Sequence, residues 1–282
     1  MAQTKTQVTV IGGGFAGLAA AVALDQKGVK LQVVEKRPFF GGRAYSFREP
    51  QTGALVDNGQ HLLMGAYHET FSFLERLGTL DRLNFQASLE VSFAHAAGRM
   101  ATLKCPNWPA PLHLGWGLLR YRGLGLKDKW RMNKIIQLAK RTQHNGKSWD
   151  EKSVLQLMQH TGQTPEAIKG FWEPLGLATL NEPLELASAE LFLEVLRQGL
   201  LKTKEDSRLV IPQVGFSELY AEPAEEYFRD REIPLHFQSQ IEGIEKEGNQ
   251  WLLHTRGNQP LRTENILFAV PPNALLRILE KS

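Results

Sequence analysis

The chain has 282 residues, 33 Lys+Arg against 30 Asp+Glu, and a single cysteine. This length predicts two domains with a core large enough to need no staples, and one cysteine excludes an intrachain disulfide or a multi-cysteine metal site. Charged residues at 22% and hydrophobic ones at 42% exclude wholesale disorder.

The first element signals lie close to the N-terminus. Gln7 to Leu24 carries no charge and follows Lys5, which superficially suggests a secretory leader. Its four glycines and its change of period argue otherwise. Gln7–Ile11 is β-branched and strand-like, whereas Phe15–Leu24 is Ala/Leu-rich and predicts a helix to about Asp25. Between them stands G-x-G-x-x-G, with a strand before and a helix after. Gly12 permits the tight turn, Gly14 lets a pyrophosphate approach the backbone, and Gly17 lets helix and strand pack closely. The helix N-terminus, at Phe15 and Ala16, offers N–H groups and partial positive charge to phosphates. A second strand, Leu31–Val34, ends at Glu35, an acid placed to accept from a ribose 2′-OH. Strand, glycines, helix, strand and acid together predict dinucleotide binding.

Pro38 to Ala44 then sets Gly41 and Gly42 beside Arg43. Glycines allow close approach, and Arg pairs with phosphate oxygens. Here the chain resembles the FAD-dependent amine oxidase and phytoene desaturase superfamily, whose pattern is E-x(5,6)-G-G-R. The resemblance implies FAD, with backbone at Gly42 and Arg43 beside its pyrophosphate and flavin. The string Asp57-Asn58-Gly59-Gln60-His61 is narrower. With Phe171-Trp172-Glu173-Pro174-Leu175, Ala178-Thr179-Leu180-Asn181, Ala187-Ser188 and Ile211 to Ser217, it resembles the hydroxysqualene dehydroxylases, FAD enzymes of hopanoid synthesis. That likeness implies that Gly59, Gln60 and His61 cross near the flavin ring. His61 has two readings. Its imidazole suits acid–base work near neutrality, or, as we favour, it is structural and touches the cofactor through its backbone. Asp57 reads as a turn-former.

From about Thr70 to Arg208 the pattern is mainly helical, with a hairpin across Leu89–Leu103 around Gly98. Ser148 to Glu151 fits a capping box opening a helix to about His160, and Thr164-Pro165 an N-cap followed by Pro. Charge is concentrated here. Arg120 to Arg141 holds eight Lys/Arg and one acid, so the net +3 of the chain is +7 against −4 elsewhere. Cys105–Leu119, just before, carries no Lys, Arg, Asp or Glu but has Trp108 and Trp116. In a helix over Lys127–Arg141, Met132, Ile135, Ile136 and Ala139 form an inward stripe. Trp130 falls opposite, beside Lys127, Lys134 and Arg141. Trp among cations suits a bilayer interface. Trp116, Lys127, Trp130, Lys134 and Arg141 therefore predict a peripheral membrane site delivering a triterpene to the flavin. A solvated basic face is the alternative. No nucleic-acid reading motif accompanies the charge.

In the last third, Phe216–Phe228 predicts a helix interrupted near Pro223, and Ile233–Phe237 a short strand. Ile241–Glu247 and Gln250–His254 flank a Gly248-Asn249 turn, and Asn265–Val270 is a further strand. The resemblance places the backbone of Ile241 on the adenine. It also implies a later Gly-Asp segment closing the flavin site. No Gly-Asp dipeptide occurs, so a fragment, a truncated reading frame or half of a split enzyme is expected.

The fold expected is α/β, an FAD-binding Rossmann-like domain (1–75 and 210–282) with an inserted mainly helical substrate domain (76–209). The resemblance implies reductive dehydroxylation of hydroxysqualene to squalene. A carotenoid desaturase or amine oxidase-like flavoenzyme, and a silent FAD- or lipid-binding fragment, are the alternatives. Expected partners are an apolar triterpene, a membrane surface and other squalene-synthesis enzymes; no metal or nucleic acid is expected. The expected location is cytoplasmic, on the inner face of the membrane.

Overall fold

The computed structural model describes residues 6–59, 62–94, 98–141 and 149–282. In chain order come β1 (Val8–Ile11), α1 (Phe15–Asp25), β2 (Leu31–Val34), β3 (Ser46–Arg48), β4 (Leu55–Asp57), β5 (Leu63–Met64), α2 (His68–Arg76) and β6 (Leu83–Phe85). There follow β7 (Glu90–Ala94), β8 (Met100–Lys104), α3 (Leu112–Arg120), α4 (Leu126–Arg141), α5 (Val154–His160), α6 (Pro165–Ala167), α7 (Glu173–Leu180), α8 (Ala189–Leu196) and β9 (Leu209–Pro212). Last are α9 (Glu222–Asp230), β10 (Leu235–His236), β11 (Ile241–Glu247), β12 (Gln250–Thr255), β13 (Leu261–Thr263), β14 (Asn265–Phe268) and α10 (Pro272–Leu279). The described residues fall into two compact units, one from 1–62, 68–84 and 212–282, the other from 63–67 and 85–211.

The first unit is built on a parallel sheet in the order β10-β2-β1-β14. β2 is buried at every position and β1 at three of four, as strands covered on both faces must be. Two polar residues lie in that buried sheet and satisfy each other. The Gln32 amide donates to Thr9 Oγ1 at 2.8 Å, and its carbonyl oxygen meets His236 Nε2 at 3.1 Å. β11, β12 and β13 form the expected antiparallel meander. The helix after Phe216 is interrupted just before Pro223, as expected. A wider turn over Ser217–Ala221 leads directly into α9, with Pro223 in its first turn, where a helix has no use for an N–H.

The second unit is mainly helical, with the β7–β8 hairpin as expected. Its core gathers Leu114, Leu118, Met132, Ile135, Leu157, Met158, Phe192 and Leu193, among others. Cys105 is buried there, and burial pushes its thiol up to about 11, so it is an inert packing residue. The capping box read at Ser148 is corrected. Ser148 lies outside the described residues, and the helix starts at Val154. The Ser153 hydroxyl accepts from the Gln156 N–H, and the Gln156 side chain accepts from the Ser153 N–H. Bonds from Val154 N–H to the Ala187 carbonyl and from Ala189 N–H to the Lys152 carbonyl hold the preceding chain extended, which fixes the start. Thr164 caps α6 as read, with Pro165 following it. Among the described residues no helix is long and apolar enough to cross a membrane.

Candidate cofactor site

A cavity of about 930 Å³ opens in the first unit. It lies where the last residues of the parallel strands, Ile11 and Val34, and Ala269 just after β14, meet the amino end of α1. Crevices at the carboxyl ends of parallel strands are where such sheets bind ligands.

The glycine motif shapes its floor. A Cβ on Gly17 would strike the Gly12 carbonyl, so only glycine brings α1 this close to β1. Gly14 is the N-cap of α1 and has no side chain to cap the first-turn amides, which also lack intrahelical acceptors. Within the chain nothing forbids a side chain at Gly14, whose added Cβ would come no nearer than 3.7 Å, to Gly42 Cα. The bare backbone there leaves room for a pyrophosphate to approach. Phe15 and Ala16 line the cavity beside Gly12 and Gly14. The amides and the helix dipole together make an anion cradle.

Glu35 lies at the end of β2 and is buried against the cavity. Its Oε2 accepts from the Gly13 N–H at 2.7 Å and its Oε1 from the Arg37 N–H at 2.9 Å. Each oxygen keeps a second lone pair for a ligand hydroxyl. Gly42 has φ +56°, and a Cβ there would lie 2.9 Å from Gly14 Cα. The two glycine segments thus face each other across a gap that admits no side chain at Gly42. Arg43 is exposed at the rim, and its carbonyl accepts from the Asn58 amide at 2.8 Å. Ile241 is buried and also lines the cavity. Gly17 and Gly59 do not line the cavity. Gln60 and His61 lie outside the described residues.

Several lining residues went unread in the sequence. Tyr220, fully buried, places its hydroxyl 2.6 Å from the Gly41 carbonyl and 2.7 Å from that of Ala44, bracketing Gly42 and Arg43. Burial pushes its phenol well up, so it stays a donor. The Arg37 guanidinium donates to the Gly42 carbonyl at 2.8 Å and lies over the Tyr45 ring. Behind the loop, Asp57 Oδ1 accepts from Ser46 Oγ at 2.6 Å and from the Phe216 N–H at 2.9 Å. Lys36, Arg277 and Lys281 also line the wall, so cations outnumber the carboxylates of Glu35 and Glu242. No local spacing announces these residues.

An anion cradle at a helix N-terminus, a buried acid at the end of the second strand and a cation-rich wall define a dinucleotide-binding fold. The chain belongs to the flavin containing amine oxidoreductases, whose family pattern matches residues 15–281. Its cofactor is FAD, and the cradle, acid and cationic wall fit that group. A hydroxysqualene dehydroxylase of Zymomonas mobilis is 26% identical over 85% of this chain and 55% of its own length. A zeta-carotene desaturase of Zea mays is 27% identical over 82% of this chain and 42% of its own. In fold, an oxidoreductase from Methanosarcina mazei superposes with a TM-score of 0.71 at 16% identity, over 98% of this chain and 61% of that one. The chain thus spans about half the length of these curated relatives.

Proposed function

We propose that this chain forms the cofactor-holding part of an FAD-dependent oxidoreductase acting on a long apolar isoprenoid, of the hydroxysqualene dehydroxylase kind. The observation that carries the redox reading is the glycine-floored cavity over the amino end of α1. The relationship to the Zymomonas enzyme supports the substrate class.

Bound FAD, when reduced, supplies a hydride. In the proposed reaction a C–H bond forms at the allylic carbon of hydroxysqualene and the C–O bond breaks. The leaving hydroxyl takes up one proton and departs as water, giving squalene and oxidised cofactor. The residues of the chain bind and orient. The first-turn amides at Phe15 and Ala16, with Arg43, hold the diphosphate. Glu35 accepts from the ribose through the lone pairs left by Gly13 and Arg37, and the main chain at Ile241 meets the adenine. Gly59, Gln60 and His61 are assigned to the flavin side. The helical segment 76–209 is assigned to the substrate.

The relationship to the maize desaturase supports a second reading, in which hydride passes from a polyene chain to the cofactor. One experiment separates the readings. The 282-residue chain is loaded with FAD, freed of excess cofactor and checked for flavin absorbance. It is then reduced without oxygen and given hydroxysqualene. Bound flavin and squalene are expected. Bound flavin without squalene, but with oxidation of a carotene precursor by a second sample kept in the oxidised state, favours the second reading. A colourless protein overturns the cofactor assignment for this chain.

A further inference from the structure

Apart from the buried His113 and the terminal Arg120, helix α3 is apolar on every side. His113, Leu114, Gly117 and Leu118 point into the core of the second unit. On the opposite side Leu112 is 63% exposed, Trp116 40% and Leu119 56%. A helix hydrophobic all round belongs in a protein core or in a lipid phase, yet this one presents half its surface outward. The next helix continues the pattern. Inward, Met132, Ile135 and Ala139 are buried. Outward, Leu126 is 78% exposed and, one turn on, Trp130 is 69% exposed. The two outward faces adjoin, because the Lys129 ammonium donates to the Leu119 carbonyl at 2.7 Å and ties the start of α4 to the end of α3. Trp108 rests against Trp116 with ring centroids 5.3 Å apart, and the Arg120 guanidinium lies 5.9 Å from the Trp116 ring.

The charges around this face are as uncommitted as its apolar groups. Among the described residues, Arg120, Arg122, Lys127, Lys134, Lys140 and Arg141 form no ion pair with a carboxylate. The one acid in the segment, Asp128, accepts from the Thr164 hydroxyl at 2.8 Å. Leucines and tryptophans ringed by unpaired cations match the headgroup–acyl boundary of an anionic membrane. A two-fold dimer through the same face would set the basic patch against its own copy, at a repulsive cost.

We infer that the α3–α4 surface is a docking face for an anionic lipid bilayer. Leu112, Trp116, Leu119, Leu126 and Trp130 enter the boundary, and the surrounding cations meet lipid phosphates. The inference is independent of the redox reading, since neither the cofactor nor its cavity takes part.

The test is co-sedimentation of the full chain with phosphatidylcholine vesicles, with and without added phosphatidylglycerol. Binding is expected only to the anionic vesicles, with release at high salt. The K127E/K134E/R141E variant should lose about a hundredfold in partitioning, since each cation near anionic lipid is worth roughly fivefold. The W116S/L119S/W130S variant keeps the charge and should also lose binding. Salt release of the unaltered chain gives a reading that needs no variant to fold. Equal binding to both vesicles, or full binding by the folded charge-reversed variant, overturns the inference. So does vesicle-free sedimentation velocity showing that the chain self-associates through this face.

Discussion

Replacing Tyr220 with phenylalanine removes one buried hydroxyl and leaves the ring in place. The ring contacts, 4.4 Å to Phe15 and 6.2 Å to Phe216 between centroids, do not depend on it. A hydroxyl carries one proton, so the carbonyls of Gly41 and Ala44 share a single donor. The Gly41 carbonyl still accepts from the Ala44 N–H, so the loss forfeits about 1 kcal/mol of net hydrogen bonding and leaves the part-buried Ala44 carbonyl short of a partner, for about 1–2 kcal/mol in all. For a chain of this size that lowers the Tm by roughly 2–4 °C. The bracketed loop carries Gly42 and Arg43, so FAD must also order what Tyr220 had ordered beforehand. That adds about 1.4 kcal/mol to binding, a Kd about tenfold weaker. Fluorescence titration with FAD and thermal unfolding measure the two effects. Burial keeps the phenol protonated, so the ratio of variant to unaltered Kd should stay flat from about pH 6 to 9. A lowered Tm with an unchanged Kd would show that the hydroxyl braces the fold and not the cofactor loop. No change in either would refute the reasoning altogether.

Gly42→Ala should weaken FAD binding more than tenfold and cost about 1–2 kcal/mol of stability, because φ is +56° and the new methyl meets Gly14; unaltered affinity in the same titration would show that the two loops can part. Burial holds His236 below its ordinary pKa of 6.5, so the unfolded chain takes up its proton first as the pH falls. Stability is therefore intact above about pH 6.5 and declines below it by up to about 1.4 kcal/mol per pH unit, and His236→Asn should shallow that slope in urea titrations. Ser153→Ala should cost the second unit about 1 kcal/mol by removing the cap of α5, read as a shift in the urea midpoint.

What the sequence disclosed was local. Gly12 to Gly17 and Glu35 were legible because turn, helix start and strand end follow one another within a single unit of chain. The buried face of α4 was legible because Met132, Ile135 and Ala139 recur at helical spacing. Tyr220 and Arg277 were not, because their place on the cavity depends on how distant segments pack, and neither sits in a distinctive local pattern. The capping box shows the boundary between the two cases. Ser148–Glu151 and Ser153–Gln156 both satisfy the local rule, and the choice between them is made by bonds to Ala187 and Ala189, more than thirty residues away. Pro223 was legible for a local reason: its ring fits only the first turn of α9, and the wider turn lies just before it.

The central strand has a consequence for the order in which the protein is assembled. β1 lies between β2, its close neighbour in sequence, and β14, and the Asn265 amide reaches Gln7 across 258 positions. During synthesis the N-terminal segment leaves the ribosome with one edge of its inner strand unpaired. It stays so while the whole helical unit is made, a unit whose core lies within its own residues and closes by itself. Only when β14 and α10 emerge are that edge and the cavity wall from Ala269 to Lys281 supplied. FAD loading therefore follows the pairing of β14 with β1. A chain interrupted before β14 exposes a β-edge open to pairing with other molecules.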